Sequence, residues 1–431
     1  MTLRTLITAA FASAFLLLVL AAAGFALLVW SIEQANHGAI RTALVEAPAA
    51  DLGVPEIRSR INGFEEGYFP DCAGASILLR EERWAHADEA AIRADAILPT
   101  VDGDQCIRLH AELHGGDIGL WFTYARYWHG ALVLHRIVLS RADYATLQTT
   151  ATVILIFAVL AFGGALARRV GWAPALAVTA ALVLLTDLRA VSVIPLQATG
   201  FAALIVAVTG FAAFAAGRRP FVALIGAALA GAFLNYFDFL YSPAAFAMLN
   251  AWIWLAAVRP PDAPRGALGG LAIFAASLGG YGFFWALKWA IAFGFNPDGT
   301  EIFVFGTGEF TRWGPGHAGY FPLEAMFAVI GRMFDAWWKG ALAVAIIAAS
   351  AMWARYGARA SAAPVRPFWL LLTPILPALL LLEALAAHTL AHTAFTFRTA
   401  PLALGIASAS LIAARRQIAP DSRKAAISDA V

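Results

Sequence analysis

The sequence predicts an all-α polytopic membrane protein of about ten transmembrane helices, with a long extracytoplasmic first loop and interfacial helices. Three observations lead there. Hydrophobic residues fill 61% of the 431 positions and charged residues 13%, with a mean hydropathy of +0.72. That balance is too apolar for a water-soluble chain of this length. The apolar residues come in long runs, and arginine clusters fall on every second connection between the runs. The formal net charge of +2 decides little, because in a membrane protein the placement of Lys and Arg matters more than their sum.

Backbone groups in hydrocarbon must be satisfied within their own segment, so each run reads as a helix. The first, Leu6 to Trp30, is too long for the apolar region of a signal peptide and reads as a retained anchor. The others run Tyr144 to Ala167, Trp172 to Leu188, Val191 to Ala216, Phe221 to Tyr236, Pro243 to Val258, Leu268 to Phe293, Phe334 to Trp353, Phe368 to Ala387 and Phe395 to Ala414. Arg4, Arg168 with Arg169, Arg218 with Arg219, Arg259 with Arg265, the group Arg355, Arg359 and Arg366, and Arg415 with Arg416 then share one side. The positive-inside rule makes that side cytoplasmic and places both termini there.

This divides the chain into a first helix (1–30), a loop domain (31–143), helices two to seven (144–293), a second outer loop (294–333), helices eight to ten (334–414) and a cytoplasmic tail (415–431). The loop domain mixes charges, Gly and Pro with short apolar stretches. Its end, RYWHGALVLHRIVLSRADY, reads as a helix lying in the interface, and so does YFPLEAMFAVIGRMFDAWW in the second loop. Cys72 and Cys106 both fall in the first loop, where a disulfide can form. No internal repeat, low-complexity tract or nucleotide-binding glycine motif is evident. Nucleic acid is not an expected partner; membrane lipids are.

An ionisable residue within a span costs about 2.5–3.5 kcal/mol on insertion scales and calls for a reason. Asp187 and Arg189, Asn235 and Asp238, Lys288, Glu383, His388, His392 and Arg398 gather at the outer helix ends, and Asp71, Arg126 and His129 lie in the outer loop. A site at the outer membrane surface follows. Each residue has a plainer reading too: Asp187 with Arg189 as a hairpin closure, Lys288 as a snorkelling lysine, Asn235 and Asp238 as a helix end and turn. His388 and His392, four apart on a helix, could share a metal, but without a third ligand no metal or other cofactor is expected, a divalent ion being the open alternative. Asp71 adjoins Cys72, so a bridge to Cys106 would hold its carboxylate in place as a general base requires. RYWHG, with Arg126, Trp128 and His129, fits sugar stacking, phosphate pairing or simple anchoring.

The patterns FPDCAG, RYWHG, FDFLYSP, LKW and HTLAHTAFTFR look like those of a group of bacterial multi-span proteins. The architecture resembles the GT-C superfamily of membrane glycosyltransferases: a first span, a long outer loop with an early acid, then many spans. It departs from the commonest pattern in lacking an Asp-Glu pair soon after the first helix. The resemblance implies a bacterial cytoplasmic (inner) membrane enzyme that moves a sugar from a polyprenyl-phosphate donor to a glycan, lipid or protein acceptor by inverting displacement. In that reading Asp71 is the catalytic base, while Arg126, His129, Asp238, Lys288, His388, His392 and Arg398 bind substrate and lipid phosphate. A second argument agrees: no cytoplasmic domain is present to hold a nucleotide sugar, so an outer site needs a donor carried by lipid. Competing readings are a multi-span transporter or flippase, a membrane acyl or phosphoglycol transferase, and a noncatalytic assembly subunit.

Overall fold

The computed structural model describes residues 3–47, 69–97, 105–116, 121–125, 127–192, 194–237, 242–258, 262–295, 323–356, 367–385, 389 and 396–415. In order these form α1 (Leu3–Glu33), α2 (His37–Val45), α3 (Phe69–Arg80) running into a 3-10 turn (Glu81–Arg83), α4 (Ala87–Arg93), β1 (Asp95–Ile97), α5 (Gln105–Leu113), β2 (Trp121–Thr123) and α6 (Ala131–Leu139). Then come α7 (Tyr144–Val170), α8 (Trp172–Leu185), α9 (Leu188–Ser192), α10 (Pro195–Gly210) with a π-helical turn (Phe211–Ala215), α11 (Pro220–Phe237), α12 (Pro243–Ala257) and α13 (Ala263–Phe295). The chain ends with α14 (Glu324–Met333), α15 (Trp337–Tyr356), α16 (Phe368–Leu372), α17 (Ile375–Ala384) and α18 (Thr399–Arg415).

The protein is helical and membrane-embedded in character. Six helices are long and apolar enough to cross a bilayer: α1, α7, α10 with its π turn, α11, α13 and α15. Their apolar side chains point both ways. On α1, Ala9, Ser13, Leu17, Ala21 and Leu28 form the buried stripe, while Phe11 and Phe15 on other faces are 75% and 66% exposed. A surface of this kind would be unstable in water and suits lipid.

Named contacts fix the direction of each helix. Thr152 Oγ1 donates to Ser192 O at 2.6 Å, and further down a methyl group at Gly163 would lie 3.6 Å from Thr179, so α7 and α8 run antiparallel. Arg398 reaches Thr186 at the end of α8 and Gly405 packs against Ala181, which makes α18 antiparallel to α8. By contrast Gly231 lies against Ser277, and Tyr236 against Phe284 with ring centroids 6.5 Å apart, so α11 and α13 are parallel. Parallel neighbours need a return segment between them. α12 supplies it, starting just after α11 and ending with Trp254 and Leu255 against Gly269 and Gly270 near the start of α13. It is buried on every side from Ala244 to Ala256, as expected of a helix apolar all round at the centre of a bundle.

Close approach of α11 and α13 depends on small residues, the usual device where both lipid and protein interior are apolar. A methyl group on Gly280 would fall 2.0 Å from the Ala228 carbonyl oxygen, and one on Gly231 2.1 Å from that of Ser277.

These directions place Arg4, Arg168, Arg169, Arg218, Arg219, Arg265 and Arg355 at one end of the bundle; Asp262 is the sole acid there among the described residues. Arg169 also closes the π turn, donating through Nε and Nη2 to Ala212 O and Ala213 O at 2.6 Å each, where the widened helix frees its carbonyls. At the opposite end sits the loop domain.

Several expected boundaries move. The run beginning at Val191 is two helices, because Pro195 opens α10 as its first residue while α9 stands apart. The ninth run is broken at Thr373–Pro374 into α16 and α17, since Pro374 has no N–H to continue the ladder. The loop domain is not wholly helical: β1 and β2 pair antiparallel, Ala96 opposite Phe122. The helix expected in the interface, α6, instead buries His135 and Arg136, and packs against α1, α2 and α7.

Candidate functional site

Most of the described acids and several cations of the bundle meet at the loop-domain end. Arg398 immediately precedes α18 and is 2% exposed. Its Nε donates to Thr186 O at 3.2 Å, at the carbonyl end of α8 where a cation is favoured. Its guanidinium carbon stands 5.3 Å from the Phe201 ring and 5.5 Å from that of Phe397. The next residue, Asp187, adopts a left-handed backbone, φ 54°, and accepts from Lys339 Nζ at 2.9 Å. Lys339 also pairs with Asp335 at 2.8 Å, which in turn faces Arg332 at 3.5 Å. Lys339 Nζ lies 5.5 Å from the Phe397 ring. Three cations and two acids, carried by α14, α15 and the residues flanking α8, α15 and α18, thus form one cluster with positive charge in excess.

The first turns of α10 connect this cluster to the loop domain. Phe201 lies under Arg398, and Leu196, five residues earlier, lies under Gly74 of α3: a methyl group there would sit 3.1 Å from both Leu196 and Leu132. Cys72 and Cys106 are disulfide-bonded with Cα atoms 5.2 Å apart, tying α3 to α5. The backbone of Asp71 therefore sits in the first turn of a helix fixed at both its disulfide and its seat on α10. The Asp71 side chain lies outside what the structure describes, as do Arg126, Asp238, His388 and His392 entirely.

Lys288 and His129 have different surroundings from those expected of phosphate ligands. Lys288 is fully buried, and its Nζ donates to Ala91 O at 2.8 Å and Ile92 O at 3.2 Å. It caps the carbonyl end of α4 and stands 5.8 Å from the Trp128 ring. Snorkelling does not match that burial, and the ammonium is committed to two carbonyls of the chain rather than open to a phosphate. His129, with φ 59°, is buried, and its Nε2 lies 2.8 Å from Tyr124 O.

The segment Trp128–Gly130 is accordingly a joint. Trp128 donates to Phe284 O at 2.9 Å and packs its ring 4.8 Å from Phe284 and 6.0 Å from Tyr236. With no exposed face it offers no platform to a sugar.

Glu383 and Asp187, also singled out by the sequence, are engaged with other parts of the chain. Glu383 accepts from the backbone N–H of Leu323 at 2.7 Å and of Met326 at 3.4 Å, capping α14 from a neighbouring helix. Asp187 forms a partly buried ion pair with Lys339 rather than closing a hairpin in water. Asn235 is buried with no hydrogen-bond partner for either amide atom; Asn250 donates to Ser277 Oγ at 3.2 Å while its Oδ1 accepts nothing.

Two arrangements were not foreseen from the sequence. Lys339 opens an apolar run, and that position is the signal that points to it. Arg136 and Glu81 form a two-pronged ion pair with both side chains 2% exposed: Nε donates to Oε2 at 2.9 Å, Nη2 to Oε1, and Nη1 to Ser31 Oγ at 2.9 Å. Nothing local foretells a partner 55 residues away. Among the described residues no three His, Cys, Asp or Glu are grouped to hold a metal ion.

No family model matches the chain, and no match is found among curated proteins or solved structures.

Proposed function

We propose that the chain crosses the bacterial inner membrane ten times, with both termini cytoplasmic, and transfers a sugar from a polyprenyl-phosphate donor to a glycan, lipid or protein acceptor on the extracytoplasmic face. The up-and-down order of the helices supports the span count: α12 is short, yet it carries the chain between two parallel neighbours, and α8 and α18 alternate in the same way. The arginine-rich end becomes cytoplasmic by the positive-inside rule.

The observation that carries the reading is the junction at α10. There the disulfide-held helix of Asp71 and the buried cation Arg398 rest on the same first turns. In this proposal Asp71 takes the proton of an acceptor hydroxyl. The hydroxyl oxygen forms the new bond to the anomeric carbon as the carbon–phosphate-oxygen bond breaks, inverting configuration, and the lipid phosphate leaves with its charge facing Arg398. Lys288, committed to carbonyls, drops out of the charge-binding set.

The protein in nanodiscs should bind polyprenyl phosphate, and Arg398→Gln should weaken that binding about tenfold. Asp71→Asn should leave binding intact and fail to restore the sugar to the envelope glycans of a deletion strain, which the intact gene does restore. Retained transfer in folded Asp71→Asn would remove the carboxylate from this role. A transporter remains the second reading because Asn235 and Asn250 hold unpaired amide atoms inside the bundle, as a polar passage would require. Substrate flux into proteoliposomes without covalent change would favour it.

A further inference from the structure

The loop domain carries an arginine–tryptophan cluster that the transfer reaction does not use. Arg80, at the end of α3, stacks its guanidinium carbon 4.7 Å from the Trp121 ring, and Arg83 lies 6.0 Å from the same ring. Arg93 stacks 4.5 Å from Trp84. The acids nearby are already engaged: Glu112 pairs with Arg83 at 3.4 Å, and Asp95 faces Arg93 at 3.6 Å while accepting from Thr123 Oγ1 at 3.0 Å. Arg93 also donates to Thr123 at 3.2 Å.

Arg80 is different. Its Nε and Nη1 are shielded from water and donate to no acceptor, although the residue as a whole is partly exposed. Each of these nitrogens makes a two-pronged donor edge with the third, Nη2, the geometry that fits carboxylate and phosphate. Burial first, then the neighbouring Arg83, lower its hold on its proton, while the carboxylates of Asp95 and Glu112 act against them. A shielded guanidinium donor without an acceptor is costly, and an anion supplies what is missing.

We infer that Arg80, with Arg83 beside it on Trp121, forms a binding site for an oxyanion, the phosphate or carboxylate group of a molecule in the space the loop domain faces. The aromatic rings fix the guanidinium planes so that little freedom is lost when the ligand arrives. The site holds whether or not the chain is a transferase, since none of its residues enters that proposal.

The test uses the full-length protein in nanodiscs with two probes, inorganic phosphate and glucuronate, titrated by calorimetry. At least one should bind saturably, and the one that binds identifies the source of the oxyanion. The same probe should protect the Arg80 peptide from phenylglyoxal modification, read by mass. Arg80→Gln should lower affinity about tenfold and Arg83→Gln several-fold, while Arg41→Gln, which touches only the exposed pair with Glu82, should change nothing. Arg83→Gln keeps the test decisive if Arg80→Gln does not fold. No saturable binding of either probe, or binding equal in wild type and both cluster variants, overturns the site.

Discussion

Gly130 and Tyr236 are joined so closely that no side chain fits between them. The Gly130 N–H donates to Tyr236 O at 2.8 Å, and a methyl group on Gly130 would lie 2.2 Å from the Tyr236 ring and 2.7 Å from its carbonyl oxygen. The ring cannot swing aside freely, since its hydroxyl donates to Gly24 O at 2.8 Å and its face meets Trp128. The loop domain is thus hinged to α11 by a glycine chosen for its size, its φ of −59° being open to any residue.

Gly130→Ala should therefore destabilise the protein by about 2 kcal/mol or more, as overpacking does, and loosen the loop domain first. Thermal unfolding in detergent and limited proteolysis of the loop domain read both effects. Adding Tyr236→Ala should recover only part of the loss, because the carbonyl contact remains. Wild-type stability in Gly130→Ala would mean the joint is not tight.

The buried Arg136–Glu81 pair predicts a non-additive pattern. Removing either partner, Arg136→Met or Glu81→Leu, leaves a buried charge alone and should cost about 3–5 kcal/mol. The double variant replaces both charges with apolar groups and should cost clearly less than the sum. Additive losses in a double-mutant cycle would show that the two side chains are not coupled.

How far these features can be read from sequence depends on their range. The helices follow from apolar run length, but run length passes over the cap at Asp143, whose Oδ1 accepts from Thr146 N at 2.8 Å, and the break at Pro374 inside the run from Phe368 to Ala387. What surrounds a helix does not follow. α12 and α1 are similarly apolar, yet α12 is encased by protein and α1 turns large side chains outward, because lipid and protein interior make the same demand on composition. The site suffers likewise: Lys288 finds its carbonyls 197 and 196 residues away, and local pattern cannot tell a capping lysine from one awaiting a phosphate. Trp128 reads equally well as platform or plug until Phe284 and Tyr236 are seen around it.

Lys288 makes a prediction that separates its structural role from a substrate role. Lys288→Met keeps the stem but leaves the carbonyls of Ala91 and Ile92 without their donor, a loss of about 1–3 kcal/mol. The end of α4 should fray, seen as faster amide exchange across Ala87–Arg93, while binding of polyprenyl phosphate stays within a few-fold of wild type. Binding lost with α4 exchange unchanged would return Lys288 to the ligand set.

His135 makes the protein sensitive to acid. It is fully buried in α6, and burial first, then the charge of Arg136, push its pKa down to about 3, against a smaller opposing effect of a backbone hydrogen bond at Pro195. In the unfolded chain the imidazole titrates near its ordinary 6.5. Between those values the unfolded chain holds a proton that the folded protein refuses, so stability rises with pH there. The contribution is complete above about pH 6.5 and is lost on acidification toward pH 3, by up to about 1.4 kcal/mol per unit. Wild-type melting temperature should fall from pH 7 to pH 5 more steeply than that of His135→Gln, which carries no proton to refuse. Parallel curves for the two proteins over that interval would mean that the imidazole is hydrated or already charged in the folded state.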